Sequence, residues 1–546
     1  MKYKQLLMLL IFIGFGTIAT CQKPETQFEE LIKEKYKADE PGAAVLVAKN
    51  NDIIYHKAVG MADLELGVKM KPEMVFEIGS ITKQFTAISI LMLVEEDKLS
   101  LEDDITKYIE DYPTHGHTIT IHHLLTHTSG IQSYTSMKEW QGKWRKDYDP
   151  KEFIDFFKYE PMNFAPGEEF SYNNSAYFLL GYIIEKVSGK TYPEFIEQNI
   201  FKPLEMNNSY YGSQKKIIKN RAPGYQKRDE FVNAEYLSLT QPYSAGSIMS
   251  TVKDLYKWHN ALHDYKLVEK ETLEKAFNNY TLNNGEKINY GYGWHLNEIN
   301  GSPTIEHGGG IFGYTTNAIY LPEENVYVAM FSNRSDFSPS TTSTKIAAHA
   351  IGKPYPGEKD RIEKEDEFLR SLEGVYDFED GTTRYITYED GQLYSQREGS
   401  GKIKIFPYDD KKFYFEDSFA KYTIISKDGN DIKVFFKNRI EETKGHLTNR
   451  EIPKKKEVEL SPEQLKKYLG DYELQPNFMI TITLEDDQLY AKATGQDKYK
   501  IFPKSDNRFF YKVVDAEIEF IKNDAGEVNT LVLYQGGREM KGEKKQ

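Results

Sequence analysis

The chain has 546 residues, of which 39% are hydrophobic and 14% aromatic, and its formal net charge is −14 at pH 7. A single hydrophobic core stops growing at roughly 250 to 300 residues, so at least two domains are expected. The apolar content excludes global disorder. The acidic balance disfavours nucleic acid as a partner, because a polyphosphate would be repelled on average.

The N-terminus has the pattern of an export signal. Lys2 and Lys4 precede an apolar stretch from residue 6 to residue 15, which is shorter than the roughly 20 residues of a membrane span. Cys21, the only cysteine of the chain, follows in a context that resembles a bacterial lipoprotein signal. We predict that residues 1–21 are a signal peptide with its lipidation site at Cys21, and that a lipid anchor holds the exported protein in the bacterial cell envelope, facing the periplasm or the surface. Ordinary secretion is the alternative, because Thr20 stands where such signals usually have Gly or Ala.

Residues 24–353 alternate helical and strand patterns. One hairpin is predicted from 43–47 and 53–56, and a second from 318–321 and 326–331. Strands at both ends with helices between them predict an α+β domain whose antiparallel sheet joins the two ends.

A serine and a lysine one helical turn apart begin the clearest predicted helix, which runs from Ser80 to Glu95. A serine hydroxyl is a weak nucleophile near neutral pH and needs a base and donors for the oxyanion it creates. Lys83 is close enough in a helix to reach Ser80, and the helix start directs backbone N–H groups at the same place. The Ser-x-x-Lys pattern also occurs at Ser213, Ser250 and Ser418. Only Ser80 follows a strand-like segment and begins a long apolar helix.

Tyr172 and Asn174 form the only Tyr-x-Asn pattern in a chain with 39 tyrosines. A predicted helix over residues 176–187 follows them. A phenolic oxygen beside an ammonium group can be held as phenolate or share a proton, and so act as general base and acid. Asn174 offers a donor and an acceptor to a substrate amide. A tyrosine that only packs at the start of the helix is the alternative.

His307, Gly308, Gly309 and Gly310 follow a strand-like segment. Glycines allow a strand edge to approach a substrate closely, and the Gly310 N–H could join that of Ser80 in an oxyanion hole. A glycine-rich hairpin turn with an incidental histidine is the alternative.

In this order and spacing, the segments resemble the penicillin-recognising serine hydrolases, in particular the class C β-lactamases and their D,D-peptidase and esterase relatives. The resemblance covers about residues 30–350 and includes stretches at 123–130, 245–247 and 290–294. It implies a β-lactamase-like antiparallel sheet flanked by helices, with an all-helical subdomain.

The resemblance also implies an acyl-enzyme mechanism and a role for each matched residue. Ser80 is the expected nucleophile, and Lys83 and Tyr172 are the expected proton-transfer groups. The expected substrate-binding residues are Asn174, His307, Gly309 and Gly310.

His307 and Gly308 stand where β-lactamases and carboxypeptidases usually have Lys and Thr, which can recognise a free carboxylate. Histidine is mostly neutral near pH 7 and glycine has no hydroxyl. We hypothesise that penicillins and D-Ala-D-Ala termini are poor substrates, and that esters, amides or D-amino-acid peptides with a neutral flank are better. The alternatives are a β-lactamase or D,D-carboxypeptidase and, in another class, a non-catalytic penicillin or peptidoglycan sensor.

The expected partners are a small-molecule or short-peptide substrate and, through Cys21, the membrane; no oligomeric state is indicated. His122, His123 and His127 lie close in sequence, and His123 and His127 would share a helix face. No Glu or Cys completes a zinc pattern there, so we predict packing or capping histidines, with no metal or cofactor.

After a polar linker the chain changes to short alternating strands that contain a repeat. Matched residues such as Tyr376 and Tyr472 are separated by 96 positions. Two copies of one β unit are therefore predicted, at 367–447 and 460–546, as small antiparallel barrels or sandwiches. They look like the β-barrel domains appended to some members of the family. Strand tyrosines such as Tyr385 could stack on sugars, although sheet packing is the more common role.

Overall fold

The computed structural model describes residues 24–429, 431–453, 457–475, 478–523, 525–535 and 538–545. The predicted signal peptide and Cys21 lie outside these residues. Within the described ranges, no helix is both long and apolar enough to cross a membrane.

The first domain is built from strands β1–β13 and helices α1–α9. The strands are β1 (Ala43–Lys49), β2 (Asp52–Val59), β3 (Met61–Asp63), β4 (Val68–Lys69), β5 (Phe76–Glu77), β6 (Tyr210–Tyr211), β7 (Tyr225–Lys227), β8 (Phe231–Asn233), β9 (Ile248–Ser250), β10 (His295–Ile299), β11 (Ser302–Ile311), β12 (Tyr314–Leu321) and β13 (Val326–Ser332). The helices are α1 (Pro24–Lys35), α2 (Thr82–Glu95), α3 (Ile121–Leu125), α4 (Pro150–Phe157), α5 (Asn174–Ser188), α6 (Tyr192–Ile196), α7 (Val252–His263), α8 (Lys270–Ala276) and α9 (Ser340–Ala350).

A six-stranded antiparallel sheet in the order β10-β11-β12-β13-β1-β2 forms the centre of this domain. β1 pairs with β13, with Val45 opposite Met330, so the two ends of the domain meet within the sheet as the sequence predicts. β1 is a continuous apolar run because both of its faces are covered. Val47 belongs to the core on one face, and Ala44 and Leu46 belong to the core on the other.

Helices pack on both faces of the sheet. α1 and α9 lie against each other on one face, where Phe28 and Ile346 share a core with Val328 of β13. The opposite face packs on a larger core that includes residues of α2, α5 and α7. This arrangement matches the predicted α+β fold with a helical subdomain.

Helix α2 is buried on nearly every face. Eleven of its 14 residues are buried, and these include polar ones. Their side chains are satisfied internally: the Thr86 hydroxyl donates to the Ser244 carbonyl at 2.7 Å and the Ser89 hydroxyl donates to the Phe85 carbonyl at 2.7 Å. Because α2 is buried on nearly every face, its polar side chains are shielded from solvent and depend on partners within the protein.

Two closed barrels follow helix α10 (Asp366–Arg370), and helix α11 (Pro462–Lys466) lies between them. The first barrel contains β14 (Gly374–Phe378), β15 (Thr383–Glu389), β16 (Gln392–Arg397), β17 (Lys402–Pro407), β18 (Lys412–Phe415), β19 (Ala420–Asp428), β20 (Asp431–Asn438) and β21 (Glu441–Leu447). The second contains β22 (Gly470–Gln475), β23 (Phe478–Glu485), β24 (Gln488–Ala493), β25 (Lys498–Pro503), β26 (Arg508–Tyr511), β27 (Ala516–Lys522), β28 (Val528–Gln535) and β29 (Arg538–Lys544). Pairing of the first strand with the last closes each barrel, so that the described strands leave no sheet edge open.

The two barrels repeat the same internal contacts. The Tyr376 hydroxyl donates to the Leu372 carbonyl at 2.9 Å, and the Tyr472 hydroxyl donates to the Tyr468 carbonyl at 2.9 Å. Both tyrosines are fully buried. The sequence repeat therefore reflects a repeated packing solution, and its two units are barrels.

Candidate active site

Ser80 lies in a short 3₁₀ turn, Gly79–Ile81, that connects β5 to α2. Gly79 has a left-handed φ of +53°, and a Cβ at this position would lie 2.9 Å from the Gly310 nitrogen. Only glycine fits this conformation and this contact without strain. The turn consequently brings Ser80 against the glycine segment of β11.

Lys83 is completely buried, and its amine has three partners. Nζ lies 3.1 Å from Ser80 Oγ, 2.8 Å from Asn174 Oδ1 and 2.9 Å from the Ala245 carbonyl oxygen. The sequence predicts the contact with Ser80, and the fold supplies the other two from segments far along the chain.

Burial holds the pKa of Lys83 well below its usual value. As an ammonium, Lys83 donates one N–H group to each of the three partners. Loss of one proton, which the lowered pKa favours, leaves two N–H groups and one lone pair. The carbonyl oxygens of Asn174 and Ala245 can only accept, so they take the two N–H groups. The lone pair is then left for the hydroxyl proton of Ser80.

Tyr172 lies on the loop before α5, and its ring centroid is 4.7 Å from Lys83 Nζ. Its hydroxyl oxygen is buried and makes no hydrogen bond of normal geometry within the described residues. Burial raises the pKa of Tyr172, and the nearby Ser80 hydroxyl opposes part of this rise. Tyr172 is therefore a neutral phenol whose proton lies beside Ser80 and Lys83.

Asn173 and Asn174 fix the start of α5. The Asn173 side chain accepts from the Ala176 N–H at 2.9 Å and caps the helix. The Asn174 Nδ2 donates to Thr135 Oγ1 at 3.2 Å, while its Oδ1 faces Lys83. The amide of Asn174 is thus oriented with its NH₂ group toward the cavity lining.

His127 departs from the sequence prediction. α3 ends at Leu125 and His127 has a left-handed φ of +60°, so it does not share a helix face with His123. It is fully buried, its Nδ1 accepts from the Asn173 N–H at 3.0 Å, and its ring lies 4.3 Å from the Tyr172 ring. Burial and the Lys83 amine lower the pKa of His127 well below its usual value, which keeps it neutral. His127 thereby supports Tyr172 and the Asn173 backbone.

His123 behaves as predicted, since it forms a capping box with Thr120 at the start of α3. His122 Nδ1 lies 2.8 Å from the Tyr292 hydroxyl oxygen. Within the described ranges, no cluster of three or more His, Cys, Asp or Glu side chains could hold a metal ion.

His307 lies behind Tyr172 and does not line the cavity, although a contact with substrate was expected. It is 3% exposed, and its Nδ1 lies against the Gly308 carbonyl while its Nε2 lies 3.1 Å from the Tyr290 hydroxyl. A carbonyl only accepts, so the proton is on Nδ1 and Nε2 accepts from Tyr290. Burial holds the pKa of His307 well below its usual value. This residue is a neutral support for the site.

The three glycines of β11 have different surroundings. A Cβ on Gly309 would lie 2.0 Å from the Ile78 carbonyl oxygen, whereas a Cβ on Gly310 would meet nothing within 4 Å. Gly309 therefore allows β11 to pack on the turn before Ser80. Gly310 lies at the open cavity.

A cavity of about 350 Å³ opens at Ser80. Its lining includes Gly310 and Asn174, and aromatic side chains form much of its wall: Tyr134, Trp140, Phe312 and Tyr314. Among the described residues that line it, none has a charged side chain.

Sequence patterns reveal Ser80, Lys83, Tyr172 and Asn174, which the fold brings together, but they miss several supporting groups. The Ala245 carbonyl and Tyr290 belong to stretches that the family resemblance includes, without a role being assigned to them. His295, on β10, has its ring centroid 5.1 Å from that of His307, and no local signal marks it.

An antiparallel sheet between helices, with Ser80 at an open cavity and a buried Lys83 opposite a Tyr-x-Asn loop, defines a β-lactamase-like serine hydrolase. The Beta-lactamase family model matches residues 28–353, and the chain belongs to this family of enzymes. A domain of unknown function, DUF3471, matches residues 454–544, which include the second barrel.

Relatives and solved structures match this chain over 60% to 77% of its length. Penicillin-binding protein 4* of Bacillus subtilis is 30% identical in an alignment of 443 residues that covers 74% of this chain and 96% of the relative. The octameric penicillin-binding protein homologue from Pyrococcus abyssi has a TM-score of 0.54 and 29% identity, and the match covers 77% of this chain and 99% of that one. D-amino acid amidase from Ochrobactrum anthropi SV3, complexed with D-phenylalanine, has a TM-score of 0.52 at 23% identity over 60% of this chain and 96% of its own, and shows a shared fold alone.

Proposed function

We propose that this protein hydrolyses amide, ester or D-amino-acid peptide bonds through an acyl-enzyme formed on Ser80. The observation that carries the proposal is the environment of Lys83. Its amine is buried, its pKa is lowered, and two acceptors occupy its N–H groups so that its lone pair faces the Ser80 hydroxyl. Such an amine is a base poised for the proton of a nucleophile.

The acylation step uses the neighbouring groups in turn. As Ser80 Oγ bonds to the substrate carbonyl carbon, its proton passes to Lys83, and the N–H groups of Ser80 and Gly310 stabilise the oxyanion. When the bond to the leaving group breaks, Tyr172 donates its proton to the leaving nitrogen or oxygen and then regains one from Lys83. Water later attacks the acyl-enzyme, the acid is released and Ser80 recovers its proton.

The cavity supports a substrate with a neutral, apolar flank. Its wall has four aromatic side chains and its described lining has no charge, so a free carboxylate on the substrate would be buried without a partner. The lysine and threonine that would bind this carboxylate in β-lactamases are replaced by His307 and Gly308, and His307 is set back from the cavity. Because a D-amino acid amidase has the same fold, amides of D-amino acids are the first compounds to test as substrates.

The test compares substrates that differ only in charge next to the scissile bond. Purified protein that begins after residue 21 is assayed with D-phenylalanine amide, a D-phenylalanine ester and a dipeptide ending in D-alanine with a free carboxylate. We expect the amide or the ester to be hydrolysed with the higher kcat/KM, and Ser80→Ala to abolish turnover. Preference for the free-carboxylate peptide would overturn the proposed substrate class.

Slow acylation by penicillins is the second candidate, favoured by the 30% identity to a penicillin-binding protein. Benzylpenicillin has the carboxylate that this cavity does not complement. We therefore expect acylation that is slow and hydrolysis that is slower still. Rapid turnover of benzylpenicillin would place β-lactamase activity first.

We also propose that Cys21 carries a lipid anchor in the cell envelope. The support is the basic and apolar N-terminal sequence that ends at the only cysteine of the chain. Full-length protein made in a bacterial host is expected in the membrane fraction, and Cys21→Ser is expected to reduce this association. Equal membrane association of both forms would contradict the anchor.

A further inference from the structure

The first barrel inserts an arginine into the edge of the hydrolase sheet. Arg439 lies in the turn between β20 and β21, and its Nη1 and Nη2 contact the two carboxylate oxygens of Glu306 at 2.7 Å each. Its Nε donates to the Glu298 carbonyl at 2.9 Å. The Arg439 and Glu306 side chains are only 14% and 12% exposed. This is a bidentate, partly buried ion pair, which restrains the orientation of both side chains and also balances their charges.

The turn that carries this arginine has an unfavourable backbone for it. Arg439 has a left-handed φ of +56°, a conformation that suits glycine or asparagine and is uncommon for a long side chain. In the sequence, Gly536 and Gly537 stand between the corresponding strands β28 and β29 of the second repeat. The sequence thus has arginine between the last two strands of the first repeat and only glycines between the last two strands of the second. A short connection between these strands does not require arginine, and the contact with Glu306 is what arginine adds at this position.

Glu306 connects the arginine to the active site. It precedes His307 in β11 and lies directly opposite His295 of β10. The His295 ring is parallel to the Tyr172 ring, with centroids 6.4 Å apart. It is also 4.7 Å from the Tyr290 ring, whose hydroxyl contacts His307.

We propose that Arg439 is a positioning residue for the hydrolase site: by neutralising Glu306, the first barrel keeps His295 uncharged behind Tyr172. The barrel is then an accessory part of the catalytic apparatus. The effect of Arg439 on catalysis rests on the proposed roles of Lys83 and Tyr172. Its effect on the charge of His295 is independent of those roles.

Several groups act on His295 from the surrounding elements. Burial lowers its pKa, Glu306 raises it, and Arg439 and Lys83 lower it. The other titratable groups that face it are His307 of β11, His127 after α3 and the phenols of Tyr172 and Tyr290. Loss of Arg439 removes a lowering influence and the cation that pairs with the Glu306 carboxylate, so His295 gains a proton at higher pH. Loss of the Glu306 charge has the opposite effect.

The test follows His295 by NMR in the full chain with ¹³C-labelled histidine, and His295→Gln assigns its signal. We expect R439M to move the titration midpoint of His295 upward by about one pH unit and E306Q to move it downward. Lys437→Met is the matched control, because Lys437 joins the barrel to Glu298 and not to Glu306. Shifts in the same direction in both variants, or no shift in either, would overturn the proposal. E306Q carries the test alone if R439M does not fold.

The same variants connect His295 to catalysis. A charge on His295 disfavours the ammonium form of Lys83 and makes its amine a weaker base. The acidic limb of kcat/KM against pH, which follows the loss of a proton from Lys83, should therefore move downward in R439M and upward in E306Q. In the double variant E306Q/R439M, the acidic limb should lie closer to its wild-type position than in either single variant. A midpoint that shifts by NMR with an unchanged kinetic limb would overturn the link to catalysis. An inactive wild-type protein with the expected NMR shifts would instead count against the proposed function.

Discussion

The sequence pattern around Lys83 predicts the position of its amine but not its protonation state. The spacing of Ser80 and Lys83 places an amine beside a hydroxyl, and this much follows from helical geometry. The protonation state does not follow, because it depends on the burial of α2 and on two acceptors, Asn174 and the Ala245 carbonyl, that come from 91 and 162 residues away. The same limit applies to Tyr172, whose raised pKa is a product of its burial in the tertiary structure.

Replacement of Lys83 by methionine is expected to reduce the acylation rate of Ser80 by about 10²–10⁴-fold, because methionine retains the packing and removes the base. The rate is measured with a chromogenic ester or amide under single-turnover conditions. Lys253→Met is the matched control, since Lys253 completes another Ser-x-x-Lys pattern but is exposed on α7. A similar loss in both variants would show that Lys83 has no special role.

The pH dependence of kcat/KM should reflect the opposite pKa shifts of Lys83 and Tyr172. Lys83 must be neutral, and its lowered pKa places the acidic limb well below the usual range for lysine. Tyr172 must hold its proton, and its raised pKa places the alkaline limb above the usual range for tyrosine. Activity thus rises with pH through the first limb and falls through the second. A profile that rises only near the usual lysine pKa would contradict the neutral amine.

At the scale of the elements, strand β11 packs closely against the turn before α2. Gly79 and Gly309 have no side chains where the two backbones meet, and the Thr316 hydroxyl of β12 donates to the Ile78 carbonyl at 2.9 Å. The hairpins and the long helices are predictable from periodicity. The close approach of two glycine segments is only suggested by their composition, because it requires the register of β11 against β12.

Gly309→Ala is expected to destabilise the protein by about 1–3 kcal/mol and to reduce activity, because its Cβ would lie 2.0 Å from the Ile78 carbonyl oxygen. Gly308→Ala is the control, since its nearest contacts would be at 3.4 Å. Thermal unfolding and kcat/KM are measured for both variants. Equal effects would mean that the packing of β11 on the Ser80 turn is unimportant.

The prediction that His123 and His127 share a helix face is wrong. The spacing of His123 and His127 suggests one helix face, but α3 has only five residues and His127 adopts a left-handed backbone after it. A short helix stabilised by a capping box and tertiary packing gives no sequence periodicity that reveals its end. The burial of His127 beneath Tyr172 follows from that turn.

At the scale of the whole molecule, the sequence reveals the two β repeats through identical anchors, and the structure shows that these anchors are barrel core residues. The docking of the first barrel on the hydrolase domain has no such signal. Arg439 and Glu306 are separated by 133 residues, and each is an ordinary charged residue when seen alone. Lys421 adds a polar contact to the same surface, donating to Asn300 at 2.6 Å.

The interface between the first barrel and the hydrolase domain is expected to depend on these charges. The triple variant Lys421→Met, Lys437→Met and Arg439→Met removes three cationic contacts with the segment 298–306. Limited proteolysis should then cut the linker between residues 353 and 366 faster than in the wild-type protein, while the separate domains remain resistant. An unchanged cleavage rate would show that other contacts hold the barrel.

The most direct test of the account is the mass of the intact protein after incubation with a fluorophosphonate, performed on the chain without residues 1–21. We expect one adduct on the wild-type protein, none on Ser80→Ala, and much slower labelling of Lys83→Met. A parallel incubation with benzylpenicillin is expected to give an adduct that forms slowly and also requires Ser80. Labelling that persists in Ser80→Ala, or an unlabelled wild-type protein, would contradict a nucleophilic Ser80 activated by a neutral Lys83.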